Sequence, residues 1–235
     1  FKILLKFFFF LVMSTVIVGT VAFDKIETPF GKKRLVYADW IASGRLYGPI
    51  ERRLSDDIGP FIGNTHSESS ATGIAMTQAY KQAQKIIKKH VNAGADDLLI
   101  FTGSGMTSAI AKLQRILGLK IPEQARAYCT FARERHCTCL NPDDPSRPVV
   151  FITHTEHHSN HTSWLECMAD VVVLEPGPGL TVNPDELRKI ITKYRNRPLL
   201  IGSFSACSNV TGYFPPYYEL AEIMHENGGY CFIDF

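Results

Sequence analysis

The sequence predicts an α/β fold: a mainly parallel sheet with helices on both faces. Two observations carry this. Short apolar runs of strand length recur at residues 98–101, 149–153, 171–174, 199–203 and 230–233. Between them lie segments with helical periodicity or helix start signals. Strands that alternate with helices give parallel sheets, because each crossover helix returns the chain to the same edge.

The elements follow in order. Residues 7–23 carry no charge and follow Lys2 and Lys6. That is the pattern of a signal peptide or short membrane anchor, at the lower edge of spanning length. Thr20 and Ala22 supply a small-x-small cleavage pattern. The other reading starts a soluble protein at Met13, with the run absent or not spanning. Phe1 in place of Met, and a predicted strand at the very end, lead us to expect a fragment of a longer protein. The expected organisation is a hydrophobic segment over 1–27 and one domain over 28–235.

Residues 34–37 read as a short strand, and Gly48-Pro49 opens a helix. A long helix is expected from about 68 to 90, with Gly94 ending it. After the run at 98–101, residues 107–117 read as a helix closed by Gly118. Residues 119–147, with Pro122, Pro142 and Pro145, read as an irregular surface excursion. A short helix is expected at 162–168. Asn183-Pro184-Asp185-Glu186 is a helix start: Asn183 as N-cap, Pro184 in the first turn, Glu186 at the capping-box position. A last helix is expected over 215–227, ending at Gly228-Gly229.

Composition narrows the function classes. At 45% hydrophobic and 20% charged, the 235 residues suit an ordinary globular protein. A net charge of +2 without a basic block argues against nucleic-acid binding. Six cysteines are too few for a disulfide scaffold of this length, and reduced thiols are expected.

In parallel sheets, ligands sit outside the carboxyl ends of the strands. After residue 101 comes Thr102-Gly103-Ser104-Gly105-Met106-Thr107, then a helix. After 153 comes His154-Thr155-Glu156-His157-His158-Ser159-Asn160. After 203 comes Ser205-Ala206-Cys207-Ser208-Asn209-Val210-Thr211-Gly212, and the last strand ends in Asp234. Four polar sets thus meet at one sheet edge. The loop 103–107 suits a phosphate, since glycines admit close approach and the first helical amides favour an anion. A tight strand-to-helix turn is the alternative. The loop also nearly fits a dinucleotide fingerprint, but Ser108 stands where the third glycine belongs, and residues 149–153 end without the acidic ribose ligand. His154, His157, His158 and His161 raise a zinc site as a rival, as does His136 beside Cys137-x-Cys139; no second cysteine pair accompanies them, and no metal is expected.

Five pieces in order resemble the class V aminotransferase family, which includes cysteine desulfurases and selenocysteine lyases. They are Tyr37-Ala38-Asp39; Gly105-Met106-Thr107-Ser108-Ala109-Ile110; Glu156-His157-His158-Ser159-Asn160 with Trp164; Ser208-Asn209-Val210-Thr211-Gly212; and Phe232-Ile233-Asp234. The resemblance implies the large domain of a fold type I enzyme, incomplete at its C-terminus, with pyridoxal 5'-phosphate (PLP) as cofactor. It assigns Thr107 and the amides of Met106 and Thr107 to the phosphate. His157 is expected to stack on the pyridine ring, Asn209 to meet the ring hydroxyl oxygen, and Asp234 to face the pyridine nitrogen. His157 and Asp234 are the expected catalytic residues. Two departures stand out: Ser108 replaces an acidic residue common in relatives, and the Schiff-base lysine expected beyond Asp234 is not in this chain. Nor does any of the six cysteines match the reactive cysteine of a desulfurase.

The implied function is that of a PLP enzyme acting on an amino acid, desulfurase- or lyase-like or an aminotransferase. The full-length protein is expected to be a homodimer, soluble in the cytoplasm or an organelle, with membrane anchoring or secretion through residues 7–23 as the alternative. The alternative function is a non-catalytic truncated domain, membrane-tethered or not, that lacks the lysine.

Overall fold

The computed structural model describes residues 24–35, 46–103, 105–122 and 144–235. They fall into two compact units, one ending at Ala95 and one running from Asp96 to Phe235.

The first unit begins with an antiparallel hairpin, β1 (Asp24–Thr28) and β2 (Gly31–Leu35). Gly31 turns it at φ +87°, and Thr28 Oγ1 donates to the Gly31 carbonyl at 2.7 Å. The strand expected at 34–37 is therefore the second arm of a hairpin and begins earlier; residues 36 and 37 lie outside the described residues. Helix α1 (Gly48–Arg52) has Pro49 in its first turn, as expected. Helix α2 (Ala71–His90) starts later than residue 68, because Ser70 is the N-cap and accepts from the Gly73 amide at 3.1 Å. Past its end Asn92, not Gly94, takes the positive φ, at 52°. Asparagine tolerates that region through its short polar side chain.

In the second unit, residues 98–101 are not a strand. Leu98 is 68% and Phe101 47% exposed. An apolar run becomes a strand only beside a neighbour that takes its backbone hydrogen bonds, and no described strand pairs with this one. Helix α3 (Gly105–Ile116) follows, and Gly118 closes it at φ +71°, as expected.

The other four expected strands form one parallel sheet. They are β3 (Val149–Thr153), β4 (Asp170–Leu174), β5 (Leu200–Ser205) and β6 (Tyr230–Asp234), in the order β4-β3-β5-β6. Between them lie α4 (His158–Leu165), α5 (Pro184–Ile191) and α6 (Tyr217–Glu226). Alternate residues of the sheet serve two cores. Val150, Ile152, Ile201 and Phe232 pack with Ile110 and Leu113 of α3 and Trp164 of α4. Val149, Phe151, Leu200 and Phe204 pack with Leu187 and Ile191 of α5 and Leu220 and Met224 of α6. The sheet is thus covered on both faces, which is why its strands read as continuous apolar runs. Gly202 permits a close approach within the sheet: a Cβ there would lie 2.6 Å from the Phe204 ring and 2.8 Å from Met224.

Local rules explain most helix ends. Helix α4 begins earlier than the expected residue 162, because His157 caps it and accepts from the Ser159 amide. Helix α6 ends in a Schellman turn: the Gly229 amide donates to Met224 O at 2.8 Å and the Gly228 amide to His225 O at 3.0 Å. Asn183 caps α5 as expected, its Oδ1 accepting from the Asp185 amide at 3.0 Å. Replacing Asn183 by Ala removes that acceptor from an otherwise intact helix. The expected loss is about 1 kcal/mol, read as a lower urea midpoint with unchanged slope; an unaltered midpoint would contradict the cap.

Cys167 is buried, Cys207 and Cys231 are half-buried, and all three are free thiols, as expected. Burial pushes the Cys167 thiol up to about 11 and that of Cys231 up to about 12, so neither is a thiolate near neutrality. Cys129, Cys137 and Cys139 lie outside the described residues, as does the 7–23 run. Among the described residues no helix is long and apolar enough to cross a membrane.

Candidate functional site

From β3 the chain crosses to β4 on one side and then returns to place β5 on the other. The gap beyond the carboxyl ends of β3 and β5 is therefore the switch point, where sheets of this kind hold ligands. The loop after β3 brings His154 to His157 to this edge, and the loop after β5 brings residues 206–213. At the end of β6, Asp234 lies opposite Ser205 in register.

A buried polar network bridges the two strands. Asn160 of α4 is fully buried; its amide donates to the Ser203 carbonyl at 3.3 Å and to Glu156 Oε2 at 2.6 Å. Its Oδ1 accepts from Ser203 Oγ at 2.6 Å and from Trp164 Nε1 at 3.2 Å. Glu156 Oε2 also accepts from Ser205 Oγ at 2.7 Å. Its Oε1 accepts from Thr153 Oγ1 at 2.6 Å and from the Thr153 amide at 3.3 Å. Thr153, Ser203 and Ser205 are all buried, so each hydroxyl needs such a partner. Sequence reasoning gives these five residues no role of their own. Thr153, Ser203 and Ser205 are signalled only by hydroxyls at the carboxyl ends of otherwise apolar strands, whereas Glu156 and Asn160 stand in the motif at 156–160.

The expected site residues are placed as follows. Asp234 is half-buried and makes no ion pair among the described residues. Burial, and then the charge of Glu156, push its carboxyl up to about 6. His157 is exposed; its Nδ1 lies 2.8 Å from Ser159 Oγ and accepts from the Ser159 amide, so the neutral ring carries its proton on Nε2. The ring is thereby held at the mouth of α4. Asn209 is exposed on a turn fastened by Ser208, whose Oγ accepts from the Val210 and Thr211 amides at 3.3 Å each. Met106 and Thr107 lie in the first turn of α3, with Thr107 exposed. Gly105 starts that helix at φ +75° with open space in front of its α-carbon.

A cavity of about 440 Å³ opens at the same edge, between the loops after β3 and β5 and the turn at 179–181. Asn209 and Glu156 line it, with His154, Thr181, Ser208 and Tyr213 among their neighbours. Met106, Thr107, His157 and Asp234 are not among its lining residues. Glu156 connects the two groups: it lines the cavity, precedes His157, and bonds Ser205 beside Asp234. Of the four clustered histidines, His154 lies with Nε2 2.9 Å from the Leu180 carbonyl, and His157 serves as a cap. Among the described residues no three His, Cys, Asp or Glu side chains gather as a metal set.

Comparison with known proteins bears on the family resemblance and on the fold. Residues 144–235, which span the whole parallel sheet, match the family model described as Aminotransferase class-V. A probable cysteine desulfurase of Halalkalibacterium halodurans is 26% identical over 216 residues, covering 90% of this chain and 47% of that protein. The aminotransferase-like protein FGM3 of Gibberella zeae is 23% identical over 212 residues, covering 86% of this chain and 45% of that protein. Among solved structures, a cysteine desulfurase from Thermococcus onnurineus NA1 shares the fold at TM-score 0.55 and 15% identity, over 79% of this chain and 40% of that one. Mouse CSAD does so at TM-score 0.52 and 14% identity, over 80% and 37%. The resemblance to class V aminotransferases read from the motifs is thus borne out, as is the α/β fold it implied. The chain spans about half the length of the curated relatives it matches.

Proposed function

We propose that this chain is the cofactor-binding part of a PLP enzyme that acts on an amino acid, with desulfurase or lyase chemistry favoured over transamination. In this reading residues 28–235 form the cofactor domain and the whole protein works as a homodimer. The observation that carries it is Asp234: a carboxylate at the switch-point edge, poorly solvated and without a cationic partner among the described residues. Such a group suits a protonated ring nitrogen.

The other residues fit the same group. Helix α3 offers its first amides and the Thr107 hydroxyl to a phosphate, with open space before Gly105. His157 offers an exposed ring whose orientation Ser159 fixes. Asn209 offers a side-chain amide that donates to the ring hydroxyl oxygen. Bound PLP supplies an electron sink for a substrate carbanion. Asp234 would keep the ring nitrogen protonated, and the remaining residues would orient the ring. The contacts these residues offer to PLP are non-covalent.

Titration of the chain with PLP is expected to give a saturable change in cofactor absorbance that inorganic phosphate reverses. Thr107→Val should weaken binding about tenfold, the worth of one hydrogen bond of about 1.5 kcal/mol to a charged group. Borohydride added to the complex should leave no lysine stoichiometrically labelled. Absence of saturable binding would count against the cofactor reading, and one fully labelled lysine would overturn the assignment of the attachment site.

A further inference from the structure

The buried network around Asn160 has a direction. The Trp164 indole nitrogen can only donate, so the Asn160 atom facing it is the oxygen. The amide nitrogen of Asn160 is therefore the atom 2.6 Å from Glu156 Oε2, and there it donates. The Thr153 amide can also only donate, and it faces Oε1 at 3.3 Å. The Thr153 hydroxyl receives the Thr155 amide at 3.2 Å and gives its own proton to Oε1. Both oxygens of Glu156 thus face donors. Each oxygen faces one group that can donate but never accept, the Thr153 amide at Oε1 and the Asn160 amide at Oε2, and the network is complete around the carboxylate.

We propose that Glu156 is a positioning residue of this site: a carboxylate locked by Thr153, Asn160 and Ser205, whose fixed negative charge at the switch point drives Asp234 toward a cationic partner. The proposal deepens the cofactor reading and rests on it for the identity of that partner, but not for the charge coupling itself. Its geometry ties the end of β3, the first turn of α4 and the end of β5 to one charge, and Ser205, the last of these ties, sits beside Asp234 across the β5–β6 ladder. Both carboxylates flank Ser205, Glu156 through a 2.7 Å hydrogen bond and Asp234 in register across the ladder. Neighbouring carboxylates do not both ionise freely, so either a proton or a cation is drawn to the less constrained one. Asp234 is that one: among the described residues it lacks the donors that saturate Glu156, and its raised proton affinity comes from burial and from Glu156.

Other groups packed on β6 do not compete. The polar side chains at this end of strand β5 are the Ser203 and Ser205 hydroxyls, which carry no charge. On α6, Glu219 and Glu226 turn to Arg188, Glu222 and His225 are exposed, and the Tyr217 ring meets Phe235 edge-on at 5.8 Å. Cys231 on β6 itself and half-buried Cys207 after β5 are thiols, uncharged when protonated.

Carbon-detected NMR titration of the Asp234 carboxyl, in the cofactor-free chain, tests this. Glu156→Gln should lower the Asp234 midpoint by about one pH unit, a tenfold loss of proton affinity. Ser205→Ala removes one hydrogen bond but keeps the charge, and should leave the midpoint in place. Glu156→Asp should also keep it raised. Equal midpoints in the parent and Glu156→Gln chains would overturn the proposal. So would a fall in Ser205→Ala as large as that in Glu156→Gln, since the effect would then be structural. If Glu156→Gln lacks a dispersed amide spectrum, the pair Glu156→Asp and Glu156→Asn decides: a midpoint about one pH unit lower in Glu156→Asn than in Glu156→Asp supports the charge, and equal midpoints reject it. Failure of the parent chain to bind PLP would sink the cofactor reading alone.

Discussion

Replacing Asp234 by Asn is expected to weaken PLP binding by roughly 10- to 150-fold, the range for losing a charge-assisted hydrogen bond of about 1.5–3 kcal/mol. The same substitution is expected to make the cofactor-free chain more stable at pH 7 to 8. The reason is linkage. The Asp234 carboxyl rises from 3.8 when exposed to about 6 in the fold, so the native state binds the proton more tightly. Stability from this group is fully present below about pH 4 and is lost as pH rises through about 6. At pH 7 the fold carries an unfavourably buried charge, on the order of 2 kcal/mol once its partial exposure is allowed for. Asn removes that charge at nearly constant shape. Urea unfolding of both chains from pH 4 to pH 8 should show the parent losing stability over this window and Asp234→Asn staying flatter. PLP should close the gap in the parent by supplying the missing cation. Unchanged PLP affinity in Asp234→Asn would show that this carboxylate does not face the ring nitrogen. A functional group that costs stability until its ligand arrives is the usual trade at an active site.

Replacing Trp164 by Ala should be the most destabilising single change in the sheet unit, at about 3–5 kcal/mol. Trp164 is fully buried among Ile110, Val150 and Ile152, and its indole nitrogen anchors Asn160. Ala leaves a cavity and an Asn160 oxygen with one donor instead of two. Trp164→Phe keeps most of the ring and loses only the donor, so its cost should be smaller, about 1–3 kcal/mol. Denaturant midpoints measure both. Against a domain stability of typically 5–15 kcal/mol, the alanine variant should be partly unfolded in mild urea. A loss below about 1 kcal/mol in Trp164→Ala would mean that the network does not depend on this anchor. Because Asn160 leads on to Glu156, the alanine variant should also perturb the Asp234 titration, which a simple core cavity elsewhere, as from Leu187→Ala, should not.

Much of the fold could be read from residues alone. The strands at 149–153, 171–174, 199–203 and 230–233 announced themselves as apolar runs, since a sheet covered on both faces needs side chains of one kind. Asn183, Gly118 and Gly228 marked helix ends through capping and positive φ, which act within a few residues. Residues 98–101 have the same apolar character yet form no strand, because pairing depends on a neighbour that no local pattern reveals. Helix α4 began early for a similar reason: histidine is an uncommon cap, and its ability to accept from the Ser159 amide appears only once the ring is placed.

The sequence by itself determined the α/β class, the resemblance to class V aminotransferases, and the candidates Met106, Thr107, His157, Asn209 and Asp234. These follow from periodicity and from motifs, both of which are written along the chain. Only the tertiary structure decided the strand order, with its switch point between β3 and β5, and the part played by Glu156. Thr153, Ser203 and Ser205 looked like ordinary strand residues until folding buried their hydroxyls. A buried hydroxyl must find a partner, and partners 43 and 49 positions apart in the chain meet only when two strands lie side by side.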